Sequence, residues 1–133
     1  MMSRLIAYVA LGSAAGGVTR LLFTAFVQER IGGGFPLGTL LVNVTGSFAL
    51  GFIIKYALAT PAITPELRAL LTTGFCGGYT TFSAYTFETA ALIEEGQYQR
   101  AGMYVVLSVL LALAATFAGF IAARELLAIR SHG

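Results

Sequence analysis

Apolar residues fall in four long runs separated by short polar connections. The runs cover about Leu5 to Val27, Leu37 to Ala59, Leu67 to Ile93 and Ala101 to Ala123. A run of about 20 apolar residues is the length a helix needs to cross the hydrocarbon core. The pattern therefore predicts four transmembrane helices in a single domain spanning 1–133. The connections carry turn signals: Gly32-Gly33-Gly34-Phe35-Pro36, Thr60-Pro61-Ala62-Ile63-Thr64-Pro65, and Glu94-Glu95-Gly96-Gln97. Thr64-Pro65-Glu66 reads as a helix start, with Thr64 as the cap and Pro65 at the first position. These connections leave no room for a soluble domain, and no internal repeat is visible.

The third run is unlike the others. Gly77-Gly78 is followed by Tyr79, Thr80 and Thr81. Glycine weakens a helix, and threonine caps a broken end. A helix break at the Gly pair, at mid-membrane, is expected. Such a break exposes carbonyls on one half-helix and amides on the other, and membrane transport proteins bind ions at such places.

Polar residues inside spans are costly, so their pattern matters. Thr39, Asn43 and Ser47 recur every four residues and share a helical face. Tyr104 and Ser108 repeat that spacing in the fourth run. Thr80, Thr81, Ser83, Tyr85, Thr86, Glu88 and Thr89 follow the expected break. Three helices with hydroxyl or amide tracks, plus a broken helix, favour a lined pathway over interhelical bonding alone. Gly12 and Gly16 form a GxxxG pair that favours close helix packing. Phe82 and Tyr85 lie three apart on one face, and aromatic ring edges carry partial positive charge. Edges of that kind, with an amide and hydroxyls, suit a small hard anion that must bind weakly enough to leave. Arg20 lies roughly 6 Å along the helix from the centre of its span. It reads either as an anchor on backbone carbonyls at a helix end or as a cation near a pore mouth.

Composition narrows the class. Of 133 residues, 57% are hydrophobic and 11% charged, against about 25% charged in a soluble domain. An integral membrane protein of the lipid bilayer follows. The formal charge of +2 is scattered, which excludes a nucleic-acid surface. The single cysteine, Cys76, excludes an internal disulfide and a multi-cysteine metal site. There is no Asp, and the only His is His132. Acid–base or nucleophilic catalysis would rest on Glu88 without a partner, so no enzyme is expected. The first run is longer than a signal-peptide core and contains Arg20, so it reads as a retained span. By the placement of basic residues, Arg4, Lys55, Arg68, Arg124 and Arg130 share one membrane face and Arg20, Arg30 and Arg100 the other. Five against three is a weak bias that permits insertion in both orientations. A single topology with both ends cytoplasmic stays open.

Three segments carry a family resemblance. They are Gly16-Gly17-Val18-Thr19-Arg20, the stretch from Pro36 through Asn43 to Phe48, and Gly74-Phe75-Cys76-Gly77-Gly78-Tyr79-Thr80-Thr81-Phe82-Ser83. Together they resemble the Fluc fluoride channels, also called the CrcB family, over nearly the whole chain. The resemblance implies an antiparallel, dual-topology homodimer in the bacterial inner membrane, with passive export of the fluoride ion that lowers its cytoplasmic level. It implies that Asn43 donates to fluoride and that Phe82 presents its ring edge. Thr39, Ser83, Tyr104 and Ser108, with Thr81 and Glu88, would form the polar track. Gly77 and Thr80 would give backbone carbonyls to a central structural Na+ that is not transported, and Arg20 would lie at the vestibule. The chain departs from the family at Tyr85, where a second Phe is usual. Either the pore stays open with altered fluoride affinity or the hydroxyl blocks it; function is expected to survive. Phe87 lies about 200° around the helix from Tyr85 and cannot substitute for it. The competing function is a small proton-coupled multidrug-type exporter, which would need a carboxylate in the first span; none is present.

Overall fold

A computed structural model describes residues 1–132. Helix α1 spans Met2–Val27 and continues through a wider π-turn, Gln28–Gly32. Helix α2 spans Leu37–Leu58. The next helical rod, α3, begins as Pro65–Ala69, widens to a π-helix over Leu70–Cys76 and closes with Gly77–Tyr79. Helix α4 spans Phe82–Glu94 and α5 spans Tyr98–His132. The start of α3 follows the sequence: the Thr64 hydroxyl accepts the Leu67 amide at 3.1 Å, and Pro65 occupies the first turn. Gly33 (φ 56°) and Gly96 (φ 77°) turn the chain where a side chain would strain the backbone.

Among the described residues, three helices are long and apolar enough to cross a membrane: Met2–Ile31, Leu37–Leu58 and Tyr98–His132. The third predicted run is divided into α3 and α4. The 13 residues of α4 reach only about 20 Å. Large apolar side chains such as Leu11, Leu22, Leu110 and Phe117 stand exposed, a surface suited to lipid.

Packing rests on glycine. Lipid is as apolar as the helix surfaces, so helices associate where small residues let backbones approach. A Cβ on Gly12 would collide with the Leu70 carbonyl, and one on Gly16 with the Phe75 carbonyl. From the other side, a Cβ on Gly78 would come within 2.6 Å of the Ser13 carbonyl. The GxxxG pair of α1 therefore meets the backbone of α3 directly. Gly51 and Gly119 do the same between α2 and α5, where a Cβ on Gly119 would sit 2.7 Å from the Phe52 amide.

This corrects the expected position of the break. Gly77 is helical (φ −64°, ψ −37°), and Gly78 lies in the same last turn of α3. The chain leaves the helix at Thr80 (φ −87°, ψ 159°) and Thr81 (φ −153°, ψ 116°). Gly78 is used for contact with α1; the break is made three residues later by side chains that replace helical hydrogen bonds.

Gly16→Val should cost about 3 kcal/mol, the upper end of over-packing penalties. Gly17→Ala, with nothing within 4 Å of the added Cβ, should be neutral or stabilise by up to about 1 kcal/mol. Reversible unfolding in mixed detergent micelles compares the two.

Candidate functional site

The break is stabilised residue by residue. Asn43, half-buried on α2, uses both ends of its amide on one residue. Its Oδ1 accepts the Thr81 amide at 2.7 Å, and its Nδ2 donates to the Thr81 carbonyl at 3.1 Å. The Thr81 hydroxyl accepts the Ala84 amide at 3.1 Å and so caps α4. Arg20 donates through Nε to the Gly78 carbonyl at 3.1 Å. Of the two readings of Arg20, this contact is the anchor on a helix end. An intact helix would send the Thr81 and Ala84 amides to the Gly77 and Thr80 carbonyls. Here both amides go elsewhere, which frees those two carbonyls.

Two polar clusters flank the break. The first lines an open groove of about 270 Å³, formed by Asn43, Ser47, Thr80, Thr81, Phe82, Tyr85 and Ser108 with Val109 and Ala112. Asn43 retains a second amide hydrogen, since an NH2 group carries two. Ser108 is only 6% exposed, and its hydroxyl has no partner. That sets it apart. Thr19, Thr24, Thr45, Thr72, Thr80 and Thr116 all return their hydroxyls to the carbonyl four residues earlier. Leaving a buried hydroxyl unpaired costs about 1–3 kcal/mol, so Ser108 is suited to a ligand in the groove. Phe82 is 76% exposed, its ring mostly on the outside of the chain. Its ring lies 5.7 Å from that of Tyr85, tilted by 53°.

The second cluster centres on Glu88. The Thr39 hydroxyl donates to Glu88 Oε2 at 3.0 Å, and the Tyr104 hydroxyl donates to Oε1 at 3.1 Å. Tyr104 is fully buried, and its ring meets Tyr85 edge-on at 5.2 Å. Glu88 also lines a second cavity of about 270 Å³ that includes Gln28, Phe35, Phe87 and Glu95. Tyr104 and Ser108, one turn apart on α5, link the two clusters. A third cavity of about 230 Å³ brings Arg20, Thr24 and Thr39 to Thr81 from the opposite side.

Among the predicted site residues, Asn43, Thr80, Thr81, Phe82, Tyr85 and Ser108 come together in the groove, and Thr39, Glu88 and Tyr104 form the adjoining cluster. Ser83 joins neither: it is exposed, with its hydroxyl 3.4 Å from that of Thr81. Gly77 is exposed on the protein surface beside the break. The Tyr85 hydroxyl is 3.4 Å from the Val105 carbonyl on α5, a long contact. Sequence reasoning missed Tyr79, whose hydroxyl meets that of Thr45 at 2.8 Å; no spacing rule connects positions 34 apart. It noted Ser47 only as part of the α2 stripe.

Chemically, the first groove offers hydrogen-bond donors and aromatic edges without a full positive charge in its lining. No group of three or more His, Cys, Asp or Glu side chains that could hold a metal occurs among the described residues. Any cation at the break would meet carbonyl oxygens. A multi-pass helical membrane protein with a side-chain-stabilised helix break is the class these features define.

Residues 7–120 match the family described as CrcB-like protein, Camphor Resistance (CrcB). The chain belongs to that family. It is 46% identical over 121 residues to a fluoride-specific ion channel FluC of Geobacter metallireducens, covering 91% of this chain and 98% of the relative. A protein of the same name from Rhizobium meliloti is 46% identical over 114 residues, covering 86% and 91%. That from Aquifex aeolicus is 42% identical over 118 residues, covering 89% and 95%.

Asn43→Ala would strand the Thr81 amide, while the Thr81 carbonyl keeps its bond from the first turn of α4, and should cost about 2 kcal/mol. Thr81→Ala, which removes only the cap, should cost about 1 kcal/mol. Unfolding of the purified variants measures both.

Proposed function

We propose that this chain is a fluoride-selective ion channel that lets fluoride leave the cell passively and so lowers its cytoplasmic level. The single observation that carries the reading is the unpartnered, buried Ser108 hydroxyl, set in one groove with the spare Asn43 amide hydrogen and two aromatic rings. The family membership and the names of its relatives support it.

Fluoride is small and strongly hydrated, and it needs short hydrogen bonds to replace its water. In this reading the Asn43 amide and the Ser108 hydroxyl donate first, with the edges of Phe82 and Tyr85 holding the ion between donors. The Tyr104 and Thr39 hydroxyls follow, both now turned to Glu88. Ser83 is proposed for the same track at its exposed end. Arg20 serves the pathway by holding the Gly78 carbonyl and by placing positive charge beside the third cavity. Neutral donors in series bind an anion without trapping it, which is the condition for conduction.

The assembly proposed is an antiparallel, dual-topology homodimer in the bacterial inner membrane, with α3 and α4 in series making the fourth crossing. The weak charge bias supports insertion in both orientations. The carbonyls of Gly77 and Thr80, released by the Asn43 and Thr81 bonds, fit a hard cation that prefers oxygen ligands. A structural Na+ held there by both subunits would neutralise the facing helix ends and would not be transported. The proton-coupled exporter gains no support, because α1 from Met2 to Val27 carries no carboxylate.

The test is fluoride efflux from proteoliposomes, read with a fluoride electrode, with a K+ ionophore and a parallel chloride assay. Fast, ionophore-dependent fluoride efflux without chloride efflux is expected; its absence from an assembled dimer would overturn the reading. Ser108→Ala should lower the fluoride rate by about tenfold, the worth of one hydrogen bond to a charged ligand. Phe82→Ile should abolish flux while the dimer stays assembled.

A further inference from the structure

Helix α2 grips the break at more than the Asn43 clamp. Three of its residues, within one turn, meet three successive residues of the third run. Asn43 binds the backbone of Thr81. Gly46 lies beneath Thr80, where a Cβ would meet the Thr80 methyl and stand 3.0 Å from the Tyr79 ring. The Thr45 hydroxyl meets the Tyr79 hydroxyl at 2.8 Å.

The Tyr79 ring is fixed from two other directions. It stacks on Phe75 of α3 at 5.8 Å and leans on Phe23 of α1 at 6.4 Å. A ring held by α1 and α3 thus reaches α2 with its hydroxyl. Thr45 can serve as acceptor there because its own hydroxyl hydrogen is directed to the Leu41 carbonyl at 2.7 Å. Tyr79 is then the donor and Thr45 relays the bond into the α2 backbone. In lipid such a bond has no water to compete with it.

Between the two grips lies Thr80. Its hydroxyl returns to the Cys76 carbonyl at 2.9 Å, its methyl rests over Gly46, and its ψ of 159° swings its carbonyl out of the helical direction. With Thr81 clamped after it and Tyr79 tied before it, the peptide that carries the Thr80 carbonyl has little freedom to turn. We infer that the Tyr79–Thr45 hydrogen bond is a positioning pair that fixes the Thr80 carbonyl for a hard monovalent cation at the break. This rests on the proposal that the Gly77 and Thr80 carbonyls hold Na+. Neither residue touches the ion or the fluoride groove.

Tyr79→Phe keeps the stacked ring and removes only the hydroxyl; Thr45→Val keeps the β-branched shape. The thermal unfolding midpoint of each purified protein is measured against NaCl, with N-methylglucamine chloride holding ionic strength constant. Fluoride efflux is recorded at saturating NaCl. Each variant should need about three- to tenfold more Na+ for half-maximal stabilisation, the worth of one neutral hydrogen bond. The double variant should need no more than either single one, because the two side chains form one interaction. At saturating NaCl, midpoint and fluoride efflux should return to parental values. Parental Na+ titrations in both single variants, or shifts that multiply in the double variant, would overturn the pairing. A parent with no Na+ dependence would instead remove the cation proposal and the pairing with it.

Discussion

Two hydrogen bonds between the Asn43 side chain and the Thr81 backbone hold the centre of this protein. A break in a membrane helix exposes amides and carbonyls that lipid cannot satisfy, and each left unpaired is costly. A primary amide is one of the few side chains that presents a donor and an acceptor to a single residue. By accepting the Thr81 amide and donating to the Thr81 carbonyl, Asn43 lets the backbone leave the helix without orphaning that amide, and the carbonyl also starts α4. The Thr81 hydroxyl then starts α4, and Arg20 closes the end of α3 at Gly78.

Those substitutions have a consequence for chemistry. Each amide satisfied by a side chain is an amide withdrawn from a carbonyl further back. The Gly77 and Thr80 carbonyls are released for that reason, while the donors on the other side of Asn43 stay available to the groove. One residue therefore separates an acceptor-rich site from a donor-rich one. Oxygen acceptors suit a hard cation, and amide and hydroxyl hydrogens suit an anion. The opposite preferences arise a few residues apart without a charged side chain lining the first groove.

Gly12 and Gly16 serve the close packing that their spacing suggests, and Gly78 joins them in it instead of making the break. Gly12, Gly16 and Gly78 bring the α1 and α3 backbones together, and that contact places Arg20 within reach of Gly78. Gly46 lets α2 approach Thr80 and Tyr79 closely. Close packing thus determines which side chains reach the break, and the break determines which polar groups face the groove.

The sequence by itself determined the class of the molecule and named most of the polar residues that meet in the groove and its adjoining cluster. Apolar run length gave the helices, because the bilayer fixes the length a helix needs. The four-residue recurrence of Thr39, Asn43 and Ser47 gave a polar face, because the helical period is fixed. Tertiary structure decided the rest. The position of the break shifted from the Gly pair to Thr80–Thr81, because glycine only permits a break, whereas the competing hydrogen bonds from Asn43 and Thr81 make it. The pairing of Glu88 with both Thr39 and Tyr104, the solitary hydroxyl of Ser108, and the contact of Tyr79 with Thr45 were equally hidden. Each depends on which helix faces which, and helix period carries no information about the partner across the gap.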